Sequence, residues 1–151
     1  MVTRTSLAAT LVALATALTL APPAQAATAA SYSAAAVKAT NHQRAEHDRV
    51  HLKHSDCLQQ FARRQAKRMA RQERIYHQDL GVILEECRLS ITGENVAVGF
   101  PTGKAVVNQG WMRSPDHRAN ILERRYRRIA VAARRGDDGR WYVSQVFGRR
   151  A

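Results

Sequence analysis

Residues 129–147 read IAVAARRGDDGRWYVSQVF, two apolar runs on either side of a Gly-Asp-Asp-Gly segment. Residues 129–133 and 141–147 have the branched and aromatic character of strands, and an Asp-Gly pair between such runs is typical of a hairpin turn. The pattern predicts two antiparallel strands. Helical patterns precede them along the chain, so the sequence predicts an α+β fold in which helices are layered on a small antiparallel sheet.

Two helices are predicted well upstream of the hairpin. Residues 34–52 contain good helix formers without Gly or Pro. Residues 55–71 form the clearest helix, since Ser55 and Asp56 supply an N-cap and one face repeats with the 3.6-residue period. The apolar stripe of that helix consists of Leu58, Phe61, Ala62, Gln65, Ala66 and Met69.

The segment between these helices and the hairpin is broken into shorter elements. Residues 93–99 (GENVAVG) are predicted to be a turn that leads into a short strand. Thr102 is expected to cap a third helix, and Ser114 to cap another that starts at Pro115. The large apolar side chains in these elements and in the hairpin are expected in the core: Trp111, Tyr126, Trp141 and Phe147.

The N-terminal segment has the order of a secretory signal peptide. Arg4 is followed by an uncharged run over residues 7–21, then two prolines and the small-residue triplet at residues 24–26. We expect cleavage after Ala26, a disordered lead-in over residues 27–32 and a single domain over residues 33–151. A secreted, extracellular monomer without a transmembrane span is therefore expected.

Cys57 and Cys87 are the two cysteines of the chain. An exported protein meets oxidising conditions, so a disulfide between them is expected. Two buried free thiols or a metal-binding pair remain alternatives, although neither cysteine belongs to a CxxC motif.

The chain is strongly basic, with a formal net charge of +12. Loss of residues 1–26 would remove one cation, Arg4, and leave an excess of 11. Such a charge favours anionic surroundings, among them cell-envelope polymers, acidic lipids and extracellular DNA. An arginine-rich composition can also reflect a GC-rich coding sequence. No specific nucleic-acid partner is expected, because the predicted elements do not form a recognition fold.

An ordered set of residues from about Val37 to Phe147 resembles the CAP superfamily of cysteine-rich secretory, antigen 5 and pathogenesis-related proteins, also called SCP-like, in its short bacterial form. The set begins with Asn41, Arg44 and the apolar stripe of the second helix. It continues with His77, residues 93–97 (GENVA), Trp111, residues 114–115, residues 117–118, residues 120–122, Tyr126, Ile129 and residues 145–148 (QVFG).

The resemblance implies an α-β-α sandwich in which two histidines and two glutamates line a cleft that holds a divalent metal, often zinc, in some members. His77, Glu94 and His117 take three of these four places. Ser114 stands where the second glutamate is expected, and Ala130 stands where glycine is usual. The resemblance also permits a lipid or sterol-like ligand in an apolar groove.

Two imidazoles and a carboxylate suit zinc, and three protein ligands would leave a position for water. A zinc-dependent hydrolase, a peptidase or esterase, is therefore one hypothesis for His77, Glu94 and His117. The missing second carboxylate weakens it, because no general base is evident. The alternative for the same residues is a buried network in which Glu94 accepts hydrogen bonds from both imidazoles and from backbone amides.

The function favoured by the sequence is a noncatalytic extracellular binding module, whose cleft holds a divalent cation or a small or lipidic ligand. Serine catalysis by Ser114 and His117 is not favoured, because a Ser before Pro at a helix start is typically a cap. His47, His51 and His54 recur at helical spacing, but we expect them on a solvated face rather than at a metal.

Overall fold

The computed structural model describes residues 28–151. The predicted signal peptide, its cleavage site and Ala27 lie outside these residues. The helices of the described chain are α1 (Ala29–Glu46), α2 (Asp56–Arg71), α3 (Leu80–Glu86), α4 (Gly103–Ala105) and α5 (Pro115–Leu122). The strands are β1 (Lys53–His54), β2 (Leu89–Val98), β3 (Arg128–Arg135) and β4 (Trp141–Arg150).

The four strands form one mixed sheet in the order β1-β3-β4-β2. β3 and β4 pair antiparallel along their length, so the predicted hairpin is confirmed. β2 pairs antiparallel with β4 and has 10 residues, more than the short strand predicted within residues 93–99. β1 has two residues and pairs parallel with the start of β3. β2 therefore forms one edge of the sheet, and β1 with β3 forms the other.

Apolar side chains pack on both faces of the sheet, which gives three layers. One face is covered by α1, α5 and the segment that follows α4, and the core there contains all four of the aromatic residues predicted to be buried. The other face is covered by α2 and α3, and the predicted stripe of α2 packs against it. The α+β fold with an α-β-α sandwich is confirmed.

The first helix differs from its prediction at both ends. Residues 29–32, placed in a disordered lead-in, form its first turn, and Thr28 and Ser31 make a capping box there. Two polar residues spaced in this way satisfy otherwise unpaired N–H groups, which explains the earlier start. The helix ends at Glu46 rather than near residue 52, and Asp48 follows with φ of 55°. Asn41 then exchanges two hydrogen bonds with the Leu52 backbone, which turns the chain back along the helix.

The chain between β2 and α5 is helical but irregular. Thr102 caps α4 through the Ala105 N–H, as predicted. α4 continues into a π-helical turn, Val106–Gly110, and a 3₁₀ turn, Trp111–Arg113. The Trp111 indole donates to the Val96 carbonyl at 3.2 Å, which anchors this segment to β2.

A disulfide joins Cys57, in the first turn of α2, to Cys87, at the end of α3. The predicted pairing is therefore confirmed, and the alternatives of free thiols or a metal pair are wrong. The bond links two helices of the same layer across a sequence separation of 30 residues. In the chain-entropy description, such a link stabilises the fold by restricting the unfolded chain.

We expect the double substitution Cys57→Ser and Cys87→Ser to lower the free energy of unfolding by about 3 kcal/mol, because the unfolded chain regains its freedom. Urea unfolding of the variant and of the oxidised protein measures the difference. Reduced wild-type protein should unfold at the same urea concentration as the variant. Equal stability of the oxidised and reduced proteins would contradict this role of the disulfide.

Candidate functional site

Glu94 lies in β2 with its side chain fully buried, at 0% exposure. A carboxylate in such a place is unfavourable unless its oxygens accept hydrogen bonds. Oε2 accepts from His77 Nδ1 at 2.9 Å and from the Gln78 backbone N–H at 3.2 Å. Oε1 accepts from Gln78 Nε2 at 2.7 Å and from Ser144 Oγ at 2.8 Å. Four donors therefore surround the carboxylate.

His77 lies in the loop between α2 and α3, where Gln65 of α2 donates to the carbonyl of the preceding residue, Tyr76. Its side chain is 57% exposed although its Nδ1 contacts buried Glu94. A carboxylate only accepts, so Nδ1 carries the proton and the neutral ring has its lone pair on Nε2. Within residues 28–151 no group hydrogen-bonds Nε2. Glu94 thus fixes the His77 ring through Nδ1, and Nε2 is available to bind a ligand.

Asn95 follows Glu94 in β2 and points to the opposite face of the sheet, as neighbouring strand residues do. Its Nδ2 donates to the His117 carbonyl at 3.1 Å and to Gln145 Oε1 at 3.0 Å. Asn120 Nδ2 donates in turn to Asn95 Oδ1 at 3.0 Å and to the Glu94 carbonyl at 3.2 Å. Both turns of α5 are therefore tied to the strand that carries Glu94.

His117 lies near the start of α5 and is half-buried. Burial first, and then the Coulombic effect of His77 in its protonated form, lower the pKa of His117 below its ordinary value of 6.5, while Asp116 opposes the shift. The neutral form of His117 is consequently the main form at neutral pH. We call His77, Glu94 and His117 together the histidine site.

The C-terminal end of α5 is held by a buried cation from α1. Arg44 has 0% exposure, and its Nη1 donates to the Ile121 carbonyl at 2.6 Å and the Glu123 carbonyl at 3.0 Å. Arg49 Nε donates to the Leu122 carbonyl between them, at 2.9 Å. Positive charge is favourable at a helix C-terminus, where carbonyl groups lack partners within the helix. Burial lowers the pKa of Arg44 to about 10, so it remains charged at neutral pH.

The structure brings two of the three predicted metal ligands, His77 and Glu94, into contact, whereas His117 lies on α5 and is linked to β2 through its backbone carbonyl. Among residues 28–151, no group of three His, Cys, Asp or Glu side chains is arranged to hold a metal ion. Glu94 directs its oxygens to protein donors, whereas the His77 Nε2 lone pair and the neutral imidazole of His117 suit a divalent cation. The three-ligand centre stays a prediction. The predicted buried network is present in part, with His77, Gln78 and Ser144 as donors and without the His117 ring.

Two other sets of residues differ from their predictions. Ser114 occupies the N-cap position of α5, but its side chain makes no capping hydrogen bond, so the predicted cap is wrong in that respect. The predicted helical stripe of histidines is also wrong, because α1 ends before it. His47 is the C-cap of α1, His51 lies in the following loop, and His54 is in β1 beside Asp56.

Gln78 and Ser144 contact Glu94 but were not among the predicted site residues. Ser144 could have been noticed as a polar residue inside the apolar run WYVSQVF, where a buried hydroxyl needs a partner. Gln78 gives no such signal, since it lies in an irregular loop. The set of residues that resembles the CAP superfamily includes Asn95, Asn120 and Gln145. In the structure their side chains form hydrogen bonds that connect α5 to the sheet.

The order of the helices, the mixed four-stranded sheet and the buried Gly-Glu-Asn segment agree with a match to a known family model. The model for "CAP: Cysteine-rich secretory protein family" matches residues 37–147. The chain belongs to the CAP family. No curated protein matches this CAP chain in its sequence.

Three solved bacterial structures resemble this CAP chain. An outer surface protein of Borrelia burgdorferi is 21% identical with a TM-score of 0.69, over 76% of this chain and 90% of that one. An extracellular SCP-domain protein of Bacillus anthracis is 25% identical with a TM-score of 0.67, over 79% of this chain and 40% of that one. A cysteine-rich secretory protein of Staphylococcus aureus is 20% identical with a TM-score of 0.68, over 85% of this chain and 40% of that one.

The CAP chain thus spans less than half of the length of the last two proteins and most of the length of the first. These similarities establish the fold. The activities, ligands and partners of the longer proteins are not transferred by them.

Gly93, which precedes Glu94, makes room for Tyr126. A Cβ at this position would lie 2.1 Å from Tyr126 Oη and 3.1 Å from Asn120 Oδ1. Tyr126 is buried and stacks on Phe147, so it has little room to move. We expect Gly93→Ala to lower stability by about 1–3 kcal/mol through overpacking, as measured by urea unfolding.

The same substitution in a Tyr126→Phe background provides the control. Without the hydroxyl the closest contact is removed, so Gly93→Ala should be less destabilising there than in the wild type. An equal effect in both backgrounds would show that the tyrosine hydroxyl is not the constraint.

Proposed function

We propose that the protein is a noncatalytic extracellular binding module whose histidine site holds a divalent cation such as zinc. His77 and His117 coordinate the cation through ring nitrogens. Glu94 is not a ligand but orients the His77 ring through its hydrogen bond to Nδ1. The observation that carries the proposal is the hydrogen bond of 2.9 Å from His77 Nδ1 to the buried Glu94 carboxylate. A carboxylate behind a ligating imidazole fixes its tautomer and raises its basicity.

Rigidity of the two histidines supports this role. His77 is fixed through Glu94, whose other three donors leave the carboxylate no freedom to turn. His117 is fixed through its backbone, because Asn95 holds its carbonyl from β2. A ligating imidazole that is held in place before binding, as that of His77 is, loses little conformational freedom when a cation arrives. Water would complete the coordination in a site with two protein ligands.

A binding role suits the site better than hydrolysis. Hydrolysis at a metal requires a group that accepts a proton from the attacking water. Glu94 accepts four hydrogen bonds. Ser114 stands where the CAP resemblance implies a second glutamate, and a serine hydroxyl is a poor base. The zinc-dependent hydrolase therefore remains a prediction from the sequence, and no described contact favours it.

The proposed extracellular setting rests on the predicted signal peptide and on the relatives. Two of the similar structures belong to an outer surface protein and an extracellular protein. No helix within residues 28–151 has the length and apolar character needed to cross a membrane. The net charge of +12 suits retention near anionic envelope polymers or acidic lipids.

Calorimetric titration with zinc ions at neutral pH tests the cation proposal. The wild-type protein should bind one zinc ion per chain, and His77→Ala or His117→Ala should each weaken binding by at least about tenfold. Glu94→Gln keeps the size of the side chain and removes its charge, so it should weaken binding by about 10- to 100-fold, as loss of a carboxylate behind a ligand does.

His51→Ala is the matched control, because His51 is an exposed histidine outside the histidine site. It should bind zinc as the wild type does, and circular dichroism should show that all four variants are folded. Absence of saturable binding to the wild type, or an equal loss in the His51 variant, would remove the proposal.

A further inference from the structure

The edge of the sheet opposite β2 has a stretch of strand without a neighbour. β1 pairs with β3 only at Lys53↔Arg128 and His54↔Ile129, whereas β3 continues to Arg135. Within residues 28–151, no strand pairs with residues 130–135 on this side. An open strand edge presents N–H and C=O groups that can pair with another chain.

The bonds already formed on this edge show which backbone groups face outward. Lys53 N–H donates to the Arg127 carbonyl at 2.9 Å, and Ser55 N–H donates to the Ile129 carbonyl at 3.3 Å. Backbone groups alternate in direction along a strand, so Val131 and Ala133 carry the next outward groups. Gln59 Nε2 donates to the Val131 carbonyl at 3.2 Å. A side-chain amide thus takes one place that the N–H of an added strand would occupy.

A groove of about 770 Å³ follows this open edge, and we call it the edge groove. Residues 131–134 of β3 form its floor. Ala30, Ala34 and Val37 of α1 form one wall, and Ala66 of α2 belongs to the other. Because α1 and α2 cover opposite faces of the sheet, the groove lies in the plane of the sheet, where a further strand would lie. The small wall residues leave space for side chains on both faces of such a strand.

Positive charge surrounds the edge groove. Four of its residues are exposed cations, and its lining contains no Asp or Glu: Lys38, Arg63, Lys67 and Arg134. In the described part of the chain, none of the four forms an ion pair. Concentrated charge of one sign attracts a partner of the other sign and repels like-charged chains. The occupant should therefore be acidic.

We propose that the edge groove binds an acidic polypeptide segment in extended conformation, which pairs with β3 as an additional strand. Backbone pairing supplies binding without a fixed sequence, and carboxylates of the segment contact the surrounding cations. A second copy of this chain is disfavoured, because each copy carries +12 and has Arg134 and Arg135 on the same strand. Residues 1–27 are disfavoured as occupant because they contain no Asp or Glu.

A fluorescent peptide of about eight residues that alternates Val with Glu is long enough to cover the free edge and serves as the probe. Anisotropy should show saturable binding to the protein at low salt. Addition of the unlabelled peptide should slow hydrogen exchange of the Ala133 amide. The same peptide with alternate backbone nitrogens methylated keeps its charge, loses strand pairing and should bind at least about tenfold more weakly.

Charge-reversal variants locate the binding. Arg63→Glu with Lys67→Glu should weaken binding at least about tenfold, because both cations border the groove. Arg149→Glu with Arg150→Glu makes the same change in net charge at exposed residues outside it, and should change affinity less than about twofold. Equal losses in the two variants, or equal binding of the methylated peptide, would show diffuse charge attraction and overturn the proposal. Binding of laurate or of phosphatidylglycerol vesicles in place of the peptide would overturn it in favour of a lipid occupant.

Discussion

Glu94 and Asn95 are neighbouring buried residues of β2. A buried polar side chain that lacks hydrogen-bond partners lowers the stability of a fold by several kcal/mol. Their requirement for partners organises both layers of helices. Glu94 draws the loop at residues 77–78 onto one face of the sheet, and Asn95 holds the start of α5 on the other. Because adjacent strand residues point in opposite directions, a two-residue segment can fix structures on both sides. The histidine site follows from this arrangement, since one of its imidazoles comes from each layer.

The parts of the fold that the sequence predicted are those with a clear periodic or local signal. The apolar stripe from Leu58 to Met69 has the helical period, and the two runs of the hairpin have strand character. The structure contains the predicted helix and the predicted hairpin. The predicted ends of α1 were wrong, because the true ends depend on particular contacts. These are the capping box at Thr28 and the hydrogen bonds of Asn41 with the Leu52 backbone. In the histidine site, contact between His77 and Glu94 agrees with the resemblance. The donors Gln78 and Ser144 could not be assigned to Glu94 from the sequence, because they reach it from a loop and from a strand that only the folded chain brings together.

The two edges of the sheet differ in their chemistry. Near β2 lie two imidazoles, of which that of His77 is held by a hydrogen bond to buried Glu94, and the proposed ligand there is a compact cation. Along β3 the available groups are backbone amides and carbonyls between two helices, and they suit an extended chain. The interior of the sheet separates these places, so a ligand at one edge need not exclude a ligand at the other. The two proposed ligands, a cation and an extended chain, would therefore bind at separate places on the domain.

Arg44 gives α5 a dependence on a distant part of the chain. α5 has eight residues, too few for a stable isolated helix, and its last carbonyls are satisfied from α1 by Arg44. If α1 opens, these carbonyls lose their donors and the buried cation loses its acceptors at the same moment. We therefore expect α1 and α5 to open together, although 77 positions separate Arg44 from Ile121. Opening of the last turn of α1, which carries Arg44, would release the end of the helix that carries His117, so the stability of that turn is expected to affect how often the second imidazole is in place.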